Sequence, residues 1–224
     1  MELPHATIVA TYCQTAGRGQ RGNSWESEPN KNISFSILLR PNNIIARQQF
    51  FISEAVSVAI VNTLNRYISN HRVAIKWPND IYVDDLKICG ILIENTLCGS
   101  NISQSIVGVG INVNQRKFLS DAPNPISIIH YTNAEISLDD ILCEVTEEIL
   151  AIVNHYDTTQ EFDILHKEYC ENLWRNNGYY PYTTPNGEQF DARIENVAPD
   201  GTLTLCDTQN TSRSFAFKEV QAIL

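Results

Sequence analysis

The stretch VAIKWPNDIYVDDLKICGILIE, residues 73–94, decides the fold class that this sequence predicts. It holds three short apolar runs that are separated only by the turn-forming segments PND at 78–80 and DD at 84–85. Strands that follow one another so closely pair as antiparallel neighbours, because parallel strands need a long crossover connection. The stretch therefore predicts an α+β fold in which a mixed or antiparallel sheet is backed by helices.

Apolar periodicity predicts the elements on either side of this stretch. Further strands are predicted at residues 6–13, 33–39 and 105–114, the first of them as a buried strand. In the second, alternate residues from Ile33 to Leu39 share one face, as in a half-buried strand. Helices are predicted at about residues 45–69, from near Ser137 onward, and at about 160–173.

The pattern changes after Trp174, where short strand-like runs alternate with turn signals. The signals are Pro-Asn-Gly at 185–187, Pro-Asp-Gly at 199–201 and Gln-Asn at 209–210. This alternation predicts a small all-β module. The predicted domains are therefore residues 1–174 and 175–224.

The composition excludes several classes of partner. A formal net charge of −10 disfavours binding to nucleic acid or to an anionic membrane surface. No apolar run is long enough to span a bilayer, and the first residues lack the pattern of a signal peptide. The six cysteines are scattered without a C-x-x-C pair, which favours buried free thiols in a reducing cytoplasm over a zinc site or disulfides.

The segment GRGQRG, residues 17–22, has the chemistry of an anion-binding loop. Its glycines let backbone N–H groups approach a ligand closely, and Arg18 and Arg21 add planar cationic donors that suit phosphate or carboxylate oxygens. The alternative is a solvated basic turn. The loop does not match the Walker pattern of P-loop nucleotide-binding proteins.

The segment KWPND, residues 76–80, has two interpretations. Pro-Asn-Asp is an ordinary turn sequence. A lysine and an aspartate that flank a turn could also bind nucleotide phosphates and their magnesium ion.

Lys87 opens the otherwise apolar strand KICGILIE, where a buried ammonium without a partner would be costly. Either its stem lies on the sheet and its head reaches water, or the cation is held beside a ligand anion. A strict pleat places Lys87 and Gly90 on opposite faces. Both could contact one ligand only through the Gly90 backbone or through a local bulge.

The segment GVGINV, residues 108–113, places Gly108, Gly110 and Asn112 on one face of a strand and its valines on the other. Glycines weaken a strand interior because they have no side chain to pack, so another group is expected to pack against this face. A flat ligand on bare backbone would do so. The alternative is another element that crosses the sheet closely.

Taken together, QTAGRGQRGNSW, KWPND, KICGILIE and GVGINVN resemble the biotin protein ligase family in order and spacing. The resemblance continues through Leu173-Trp174 into FKEVQAIL at the C-terminus. It implies a class II synthetase-like α+β catalytic domain followed by a small C-terminal β-barrel. It also implies ATP-dependent formation of biotinyl-5′-AMP, and then transfer of biotin to a lysine of a biotin carboxyl carrier protein or biotin-dependent carboxylase.

The resemblance also implies roles for individual residues. The catalytic residues would be Lys87, Arg18 and Arg21. Biotin would contact Gln14, Gly17, Arg18, Gly19, Gln20, Trp25, Lys87, Gly90, Gly108 and Gly110. ATP would contact Arg21, Gly22, Lys76, Trp77, Asn79, Asp80 and Asn112, and Asp80 would also contact Mg²⁺.

The sequence departs from the family pattern in two respects. Position 20 is Gln where many members have a basic residue, so the loop should have one positive charge fewer. Members also begin with a strand and helix bearing a Ser-Thr-Asn motif that contacts biotin, and this sequence starts after that point. We therefore expect a sheet edge and part of the biotin pocket to be open, and the open edge could support a homodimer. No helix-turn-helix segment precedes the catalytic domain, so a repressor function is not expected.

Two other functions compete with this interpretation. A lipoate-type ligase or acyltransferase shares the fold and the carrier-lysine chemistry. A non-catalytic relative would bind the ligand or the carrier without turnover.

Overall fold

The computed structural model describes residues 3–19 and 24–224. Its first part contains the strands β1 (Thr7–Thr11), β2 (Gly17–Arg18), β3 (Ser24–Trp25), β4 (Ile33–Leu39), β5 (Val73–Lys76), β6 (Asp80–Val83), β7 (Leu86–Cys98) and β8 (Asn101–Ile111). Six of these strands form one antiparallel sheet in the order β1-β4-β8-β7-β6-β5, and β2 and β3 form a separate hairpin. The predicted sheet is thus antiparallel throughout its named strands.

The two faces of this sheet differ because side chains alternate along each strand. On β4, Ile33 and Ile37 are fully buried in the core, whereas Ser34 and Ser36 point to the opposite face. The core face is backed by helices α1 (Phe50–Asn65), α2 (Leu138–Thr159) and α3 (Phe162–Glu171). The opposite face, which carries Ser34 and Ser36, borders a cleft.

The helices begin and end where local chemistry permits. The side chain of Ser137 accepts a hydrogen bond from the Asp140 backbone N–H, 3.2 Å away, and so caps the N-terminus of α2. Gln160 adopts a left-handed conformation and ends the same helix. Helix α1 is buried along almost its whole length, between the sheet and the other two helices.

The prediction that residues 6–13 form a buried strand is wrong with respect to burial. Strand β1 is the edge of the sheet, and its residues are mostly exposed; Val9 retains 65% of its accessible surface. The apolar run ATIVATYC indicated a strand, but burial depends on what covers each face. No local sequence pattern contains that information.

The C-terminal part is a second antiparallel sheet. Its strands are β9 (Tyr180–Thr183), β10 (Gln189–Val197), β11 (Leu203–Asp207), β12 (Ser212–Phe215) and β13 (Gln221–Ala222). They pair in the order β12-β11-β10-β9-β13, an open series, so within residues 24–224 we see a sheet without the pairing that would close a barrel. Positive φ angles at Gly187, Gly201 and Asn210 confirm the turns expected between these strands.

The two sheets share one hydrophobic core. Side chains of the second sheet, among them Tyr182, Leu203 and Phe215, pack in the same buried cluster as α1 and α3. Between the two parts, Trp77 Nε1 donates to the Gly201 carbonyl over 3.0 Å, and a side chain at Gly201 would collide with Phe50. The second sheet therefore lies against the β5–β6 turn. Within the described ranges, no helix is both long and apolar enough to cross a membrane.

Candidate functional site

A single row of residues crosses all six strands of the first sheet on its cleft face. In sheet order from β5 to β1, the row is Lys76, Asp80, Gly90, Gly110, Ser34 and Thr11, each directly opposite the next. Directly opposed residues point to the same side of a sheet, so this cross-strand row is charged at one end and small and neutral at the other.

The cross-strand row lies in a cleft of about 1390 Å³ between the two sheets and the β2–β3 hairpin. The cleft brings together most of the residues predicted to form the site: Gln14, Arg18, Gly19, Trp25, Lys76, Trp77, Asn79, Asp80, Lys87, Gly90, Gly108, Gly110 and Asn112. Gly17 lies in the hairpin behind Trp25 and does not line the cleft. Gln20, Arg21 and Gly22 lie outside the described residues.

Lys87 is paired with an acid at the charged end of the row. Its Nζ lies 2.7 Å from Asp80 Oδ1, and both side chains are largely shielded, with 31% and 22% of their surface exposed. The same ammonium lies 5.9 Å from the centre of the Trp25 ring. Because the Lys87 ammonium is partly shielded from water and borders the cleft, it is a suitable partner for an anion that enters the cleft.

A bulge in β7 places Lys87 and Gly90 on one face. Cys89 pairs with Ile81 and Lys87 pairs with Tyr82, so the intervening Ile88 has no counterpart on β6. The extra residue reverses the alternation, and a methyl group added to Gly90 would lie 3.6 Å from Lys87 Cε. The sequence allowed Lys87 and Gly90 to contact one ligand either through the Gly90 backbone or through a local bulge. The bulge is present, and Lys87 and Gly90 border the same part of the cleft.

Lys76 provides a second cation at this end. Its Nζ lies 5.2 Å from the centre of the Tyr82 ring. Burial lowers the pKa of the Lys76 ammonium below its ordinary value, a shift that Asp80 opposes and Arg175 reinforces. The charged form of Lys76 is therefore under-solvated, and a phosphate in the cleft would stabilise it.

Trp25 covers the bare backbone at the centre of the row. A methyl group added at Gly110 would lie 2.5 Å from Trp25 Cε2, and one added at Gly90 would lie 3.2 Å from Trp25 Cζ3. At Gly108 the nearest atom would be the Leu92 carbonyl oxygen at 3.5 Å, an ordinary contact. In this structure a crossing side chain thus compensates for the glycines, and a flat ligand would have to share or replace the Trp25 position.

Three buried polar atoms of the cleft have no hydrogen-bond partner within the described residues. They are Trp25 Nε1, Ser34 Oγ and Asn112 Oδ1. Buried polar groups are almost always paired, because an unpaired one costs about 1–3 kcal/mol. A donor, a hydroxyl and an acceptor that are unpaired around one cleft indicate a site for a polar ligand.

Asn79 and Asn112, which were predicted to contact ATP, also form hydrogen bonds to the backbone around the cleft. Asn79 Nδ2 donates to the Ile91 carbonyl, and the Ile91 N–H donates back to the Asn79 carbonyl over 3.0 Å. Asn112 Nδ2 donates to the Ile126 carbonyl over 3.0 Å. Pro78 and Asn79 do form the β5–β6 turn, so the plain turn interpretation of KWPND holds as well.

Glu26, which the sequence interpretation missed, anchors the loop beyond β8. Its carboxylate accepts hydrogen bonds from the backbone N–H groups of Leu119 and Ser120 and from Gln115 Nε2. Burial alone would raise the pKa of Glu26, but these hydrogen bonds outweigh it and lower the pKa. The contact joins residues 89 positions apart, so no local pattern could have indicated it.

The C-terminal sheet also contributes to the cleft, which the sequence interpretation did not anticipate. Phe217, Lys218 and Val220 line its charged side, and the Phe217 ring lies 6.2 Å from that of Trp77. Lys218 lies in a turn and has a positive φ of 71°. The only sequence signal was the resemblance of FKEVQAIL, which did not specify a role for these residues.

Solved structures share this fold. A biotin protein ligase from Aquifex aeolicus in complex with biotin and ATP matches with a TM-score of 0.79 at 19% identity, covering 100% of this chain and 91% of that one. A biotin protein ligase from Leishmania major in complex with biotinyl-5-AMP matches with a TM-score of 0.63 at 18% identity, covering 95% and 88%. At these identities the likeness shows the fold.

Curated relatives match more closely in sequence but over a shorter span. The bifunctional ligase/repressor BirA of Bacillus spizizenii is 33% identical over 138 residues, 62% of this chain and 41% of that protein. The biotin–[acetyl-CoA-carboxylase] ligase of Paracoccus denitrificans is 35% identical over 103 residues, 45% of this chain and 41% of that protein. The chain thus covers about two fifths of the length of these relatives.

A model of the biotin/lipoate A/B protein ligase family matches residues 1–112, which is half of the 224-residue chain. The match includes β1 through β8 and therefore the whole cross-strand row. Because the match spans half of the chain, the chain belongs to the biotin/lipoate A/B protein ligase family.

Proposed function

We propose that this protein is a biotin–protein ligase, which activates biotin with ATP and transfers it to a lysine of a biotin carboxyl carrier protein. The observation that carries the proposal is the cleft, in which Lys76 of the cross-strand row and the nearby Lys87 adjoin the row's glycine backbone. Relatives named as biotin–protein ligases or as a biotin–[acetyl-CoA-carboxylase] ligase support the choice of substrate.

In the first step, a biotin carboxylate oxygen attacks the α-phosphorus of ATP. The bond from that phosphorus to the β-phosphate oxygen breaks, pyrophosphate leaves, and biotinyl-5′-AMP remains. Two anions must approach each other, so fixed cations are needed where the negative charge accumulates. Lys87 is placed between the glycine backbone and Asp80, and it would hold the carboxylate and the α-phosphate together.

In the second step, the neutral amine of a carrier lysine attacks the biotinyl carbonyl carbon. The bond from that carbon to the phosphate oxygen breaks, AMP leaves, and an amide forms with loss of a proton from the amine. The hairpin that carries Arg18 and Trp25 borders the cleft, and its closure would keep water away from the reactive anhydride.

The charged end fits a magnesium–nucleotide complex. Magnesium is usually held by one or two carboxylates together with substrate phosphates and water, and Asp80 supplies a carboxylate beside Lys76. Bound there, the ion would neutralise phosphate charge and polarise a phosphoryl oxygen. If Asp80 held such a complex, its contact with Lys87 would relax, and the ammonium would be available to the substrate.

Features of the protein beyond the reaction itself are also proposed. The acetyl-CoA carboxylase type of carrier is favoured by the name of the Paracoccus denitrificans relative. The six cysteines are free, which suits a reducing cytoplasm, but Cys13, Cys98 and Cys143 are exposed and not buried as predicted. The net charge of −10 disfavours a nucleic-acid partner. We propose that residues 1–174 are the catalytic domain and residues 175–224 the C-terminal domain. The exposed edge of β1 could pair two copies of the chain in a homodimer.

Incubation with biotin, ATP, Mg²⁺ and an apo carrier domain tests the proposal. We expect the carrier to gain the mass of one biotinyl group, and to gain nothing when ATP is omitted. A matched reaction with lipoate in place of biotin tests the lipoate-type alternative. An unmodified carrier, with ligand binding intact, would instead identify a non-catalytic relative.

A further inference from the structure

The carboxylate of Glu26 connects two segments that border the cleft from different sides. Glu26 follows Trp25 directly, at the end of the β2–β3 hairpin. Its carboxylate accepts hydrogen bonds from the backbone N–H groups of Leu119 and Ser120, over 2.9 Å and 2.7 Å. Because the pKa of Glu26 is lowered, the carboxylate is ionised at neutral pH, and bonds to an ionised acceptor are roughly twice as strong as neutral ones. Glu26 is therefore a strong link between the hairpin and the loop that follows β8.

That loop, residues 116–126, reaches Lys87 at its C-terminal end, and we call it the β8 loop. It contains no helix and only an isolated bridge, between Pro125 and Lys87. The Lys87 N–H donates to the Asn124 carbonyl over 2.7 Å, and the Ile126 N–H donates to the Lys87 carbonyl over 2.9 Å. The backbone of Lys87 is thus held on both sides by the β8 loop, whose own path depends on what anchors its middle.

These contacts form a closed chain around the charged part of the cleft. It runs from Trp25 through Glu26 to the β8 loop, and from the loop through backbone hydrogen bonds to Lys87. It closes where the Lys87 ammonium lies 5.9 Å from the centre of the Trp25 ring. Gln115 braces the chain, because its buried Nε2 donates to Glu26 over 2.9 Å. Removal of the Glu26 carboxylate would open this chain in the middle of the loop.

We propose that Glu26 is a positioning residue for the adenylation step, which holds Lys87 in place through the β8 loop. This inference rests on the proposed function, because it takes Lys87 to be the cation that brings the biotin carboxylate and the α-phosphate together. The oxygens of Glu26 are engaged by Gln115 and by two backbone N–H groups, so Glu26 acts on Lys87 and not on the substrate. A misplacement of about 1 Å can lower a reaction rate by about 10²-fold.

Single-turnover formation of biotinyl-5′-AMP tests the assignment. Glu26→Gln leaves one acceptor oxygen and turns an NH₂ group toward the N–H donors of the loop. Glu28→Gln is the matched control, because it makes the same change of charge at an exposed position that contacts Gln115 through its backbone N–H. We expect the adenylation rate to fall about 10–100-fold in Glu26→Gln and to stay unchanged in Glu28→Gln.

The Lys87→Ala background separates positioning from a merely structural role. If Glu26 acts through the Lys87 ammonium, Glu26→Gln should cause no further loss of rate once that ammonium is absent. A structural role would lower the fraction of folded protein by the same factor in both backgrounds, and urea unfolding of each variant measures that fraction. Equal losses of adenylation in the two backgrounds would overturn the proposal, and so would full activity in Glu26→Gln.

Hydrogen–deuterium exchange tests the position of Lys87 without any reaction. The amides of Lys87 and Ile126 should exchange faster in Glu26→Gln than in the unmodified protein, and at the unmodified rate in Glu28→Gln. Unaltered protection of both amides in Glu26→Gln would overturn the proposal. If Glu26→Gln fails to fold, Glu26→Asp, which retracts the carboxylate by one methylene group, takes its place with the same expected outcomes.

Failure of the proposed function has a different signature. Absence of biotin-dependent adenylation in the unmodified protein would overturn the proposed function. The protection of the Lys87 and Ile126 amides would then still show whether Glu26 holds the backbone of Lys87.

Discussion

The two halves of the cross-strand row differ in charge and in what covers them. The half at Lys76 and Asp80 is charged, and the C-terminal sheet lies over it. The half at Gly110 and Ser34 is neutral, and Trp25 from the β2–β3 hairpin lies over it. One sheet thus presents a charged end and a polar but uncharged end, each with its own cover.

Under the proposed function, this difference explains how an acidic protein would bring two anionic substrates together. Its net charge of −10 repels anions at long range, so the attraction must be local. Lys87 and Lys76 supply it at one end of the cleft. At the centre, the Trp25 ring covers the glycine backbone, and a flat substrate would have to share or replace its position. Substitutions that alter one end at a time test this division.

The largest effect should come from Lys87. We expect Lys87→Ala to lower the rate of biotin adenylation by about 10²–10³-fold, the usual result of losing one charge-stabilising donor. Pyrophosphate exchange measures this. The control is Lys167→Ala, since Lys167 is 77% exposed on α3 and outside the cleft, and it should keep full activity. Equal activity in the two variants would remove Lys87 from its role.

Lys76 should make the binding of ATP sensitive to pH. Because burial lowers the pKa of Lys76, this lysine loses its charge at a lower pH than an ordinary lysine. A bound phosphate favours the charged form, so ATP affinity should fall as pH rises through that lowered pKa. We expect Lys76→Gln to weaken ATP binding by about 10–100-fold, the effect of a charged hydrogen bond.

The Lys76→Arg variant provides the control for pH, because arginine stays protonated throughout the range. Its ATP affinity, measured by calorimetry, should not show the fall at alkaline pH. An unaltered pH profile would assign the fall to another group.

At the neutral end, Gly110→Ala should disturb the Trp25 cover. The new methyl group would lie 2.5 Å from the Trp25 ring, and relief of that overlap should lower the free energy of unfolding by about 1–3 kcal/mol. Urea unfolding measures the loss. Gly108→Ala is the matched control, because its methyl group meets its nearest neighbour at an ordinary 3.5 Å. Equal stability of the two variants would show that Trp25 does not press on Gly110.

The smallest effect concerns the cover at the charged end. Trp77→Phe removes the hydrogen bond to the Gly201 carbonyl, for an expected loss of about 0.5–1.5 kcal/mol in the free energy of unfolding. Trp174→Phe removes a similar bond, from Nε1 to Asp85 Oδ1, that does not reach the C-terminal sheet. Limited proteolysis between the two sheets should therefore increase in Trp77→Phe alone.

Local patterns in the sequence were enough to predict most elements of the fold. The alternation of β4, the serine cap of α2 and the turn glycines of the C-terminal sheet depend on neighbours a few residues away. The alternation of β4 also implied that Ser34 and Ser36 share the face away from the core. It could not show that Ser34 lies beside Gly110, since that depends on register with a strand more than seventy positions later.

Burial and pairing were harder to predict, because they depend on what the rest of the chain places nearby. The exposure of Val9 on the edge strand β1 is one example, and the role of Glu26 in anchoring the loop after β8 is another. The bulge at Ile88 is intermediate. The sequence indicated a bulge as one way in which Lys87 and Gly90 could contact one ligand. Only the pairing of β6 with β7 showed that the bulge is present.

By itself, the sequence determined the order of strands and helices, the glycine face of β8, and the kinds of chemical group available for a site. These depend on propensity and periodicity, which act over short separations along the chain. The tertiary structure alone decided that Lys87 pairs with Asp80, that Trp25 covers Gly110, and that Ser34 is left with an unpaired hydroxyl. Those outcomes depend on register and on close packing between distant segments, where a displacement of one residue would move every side chain of a strand to its other face.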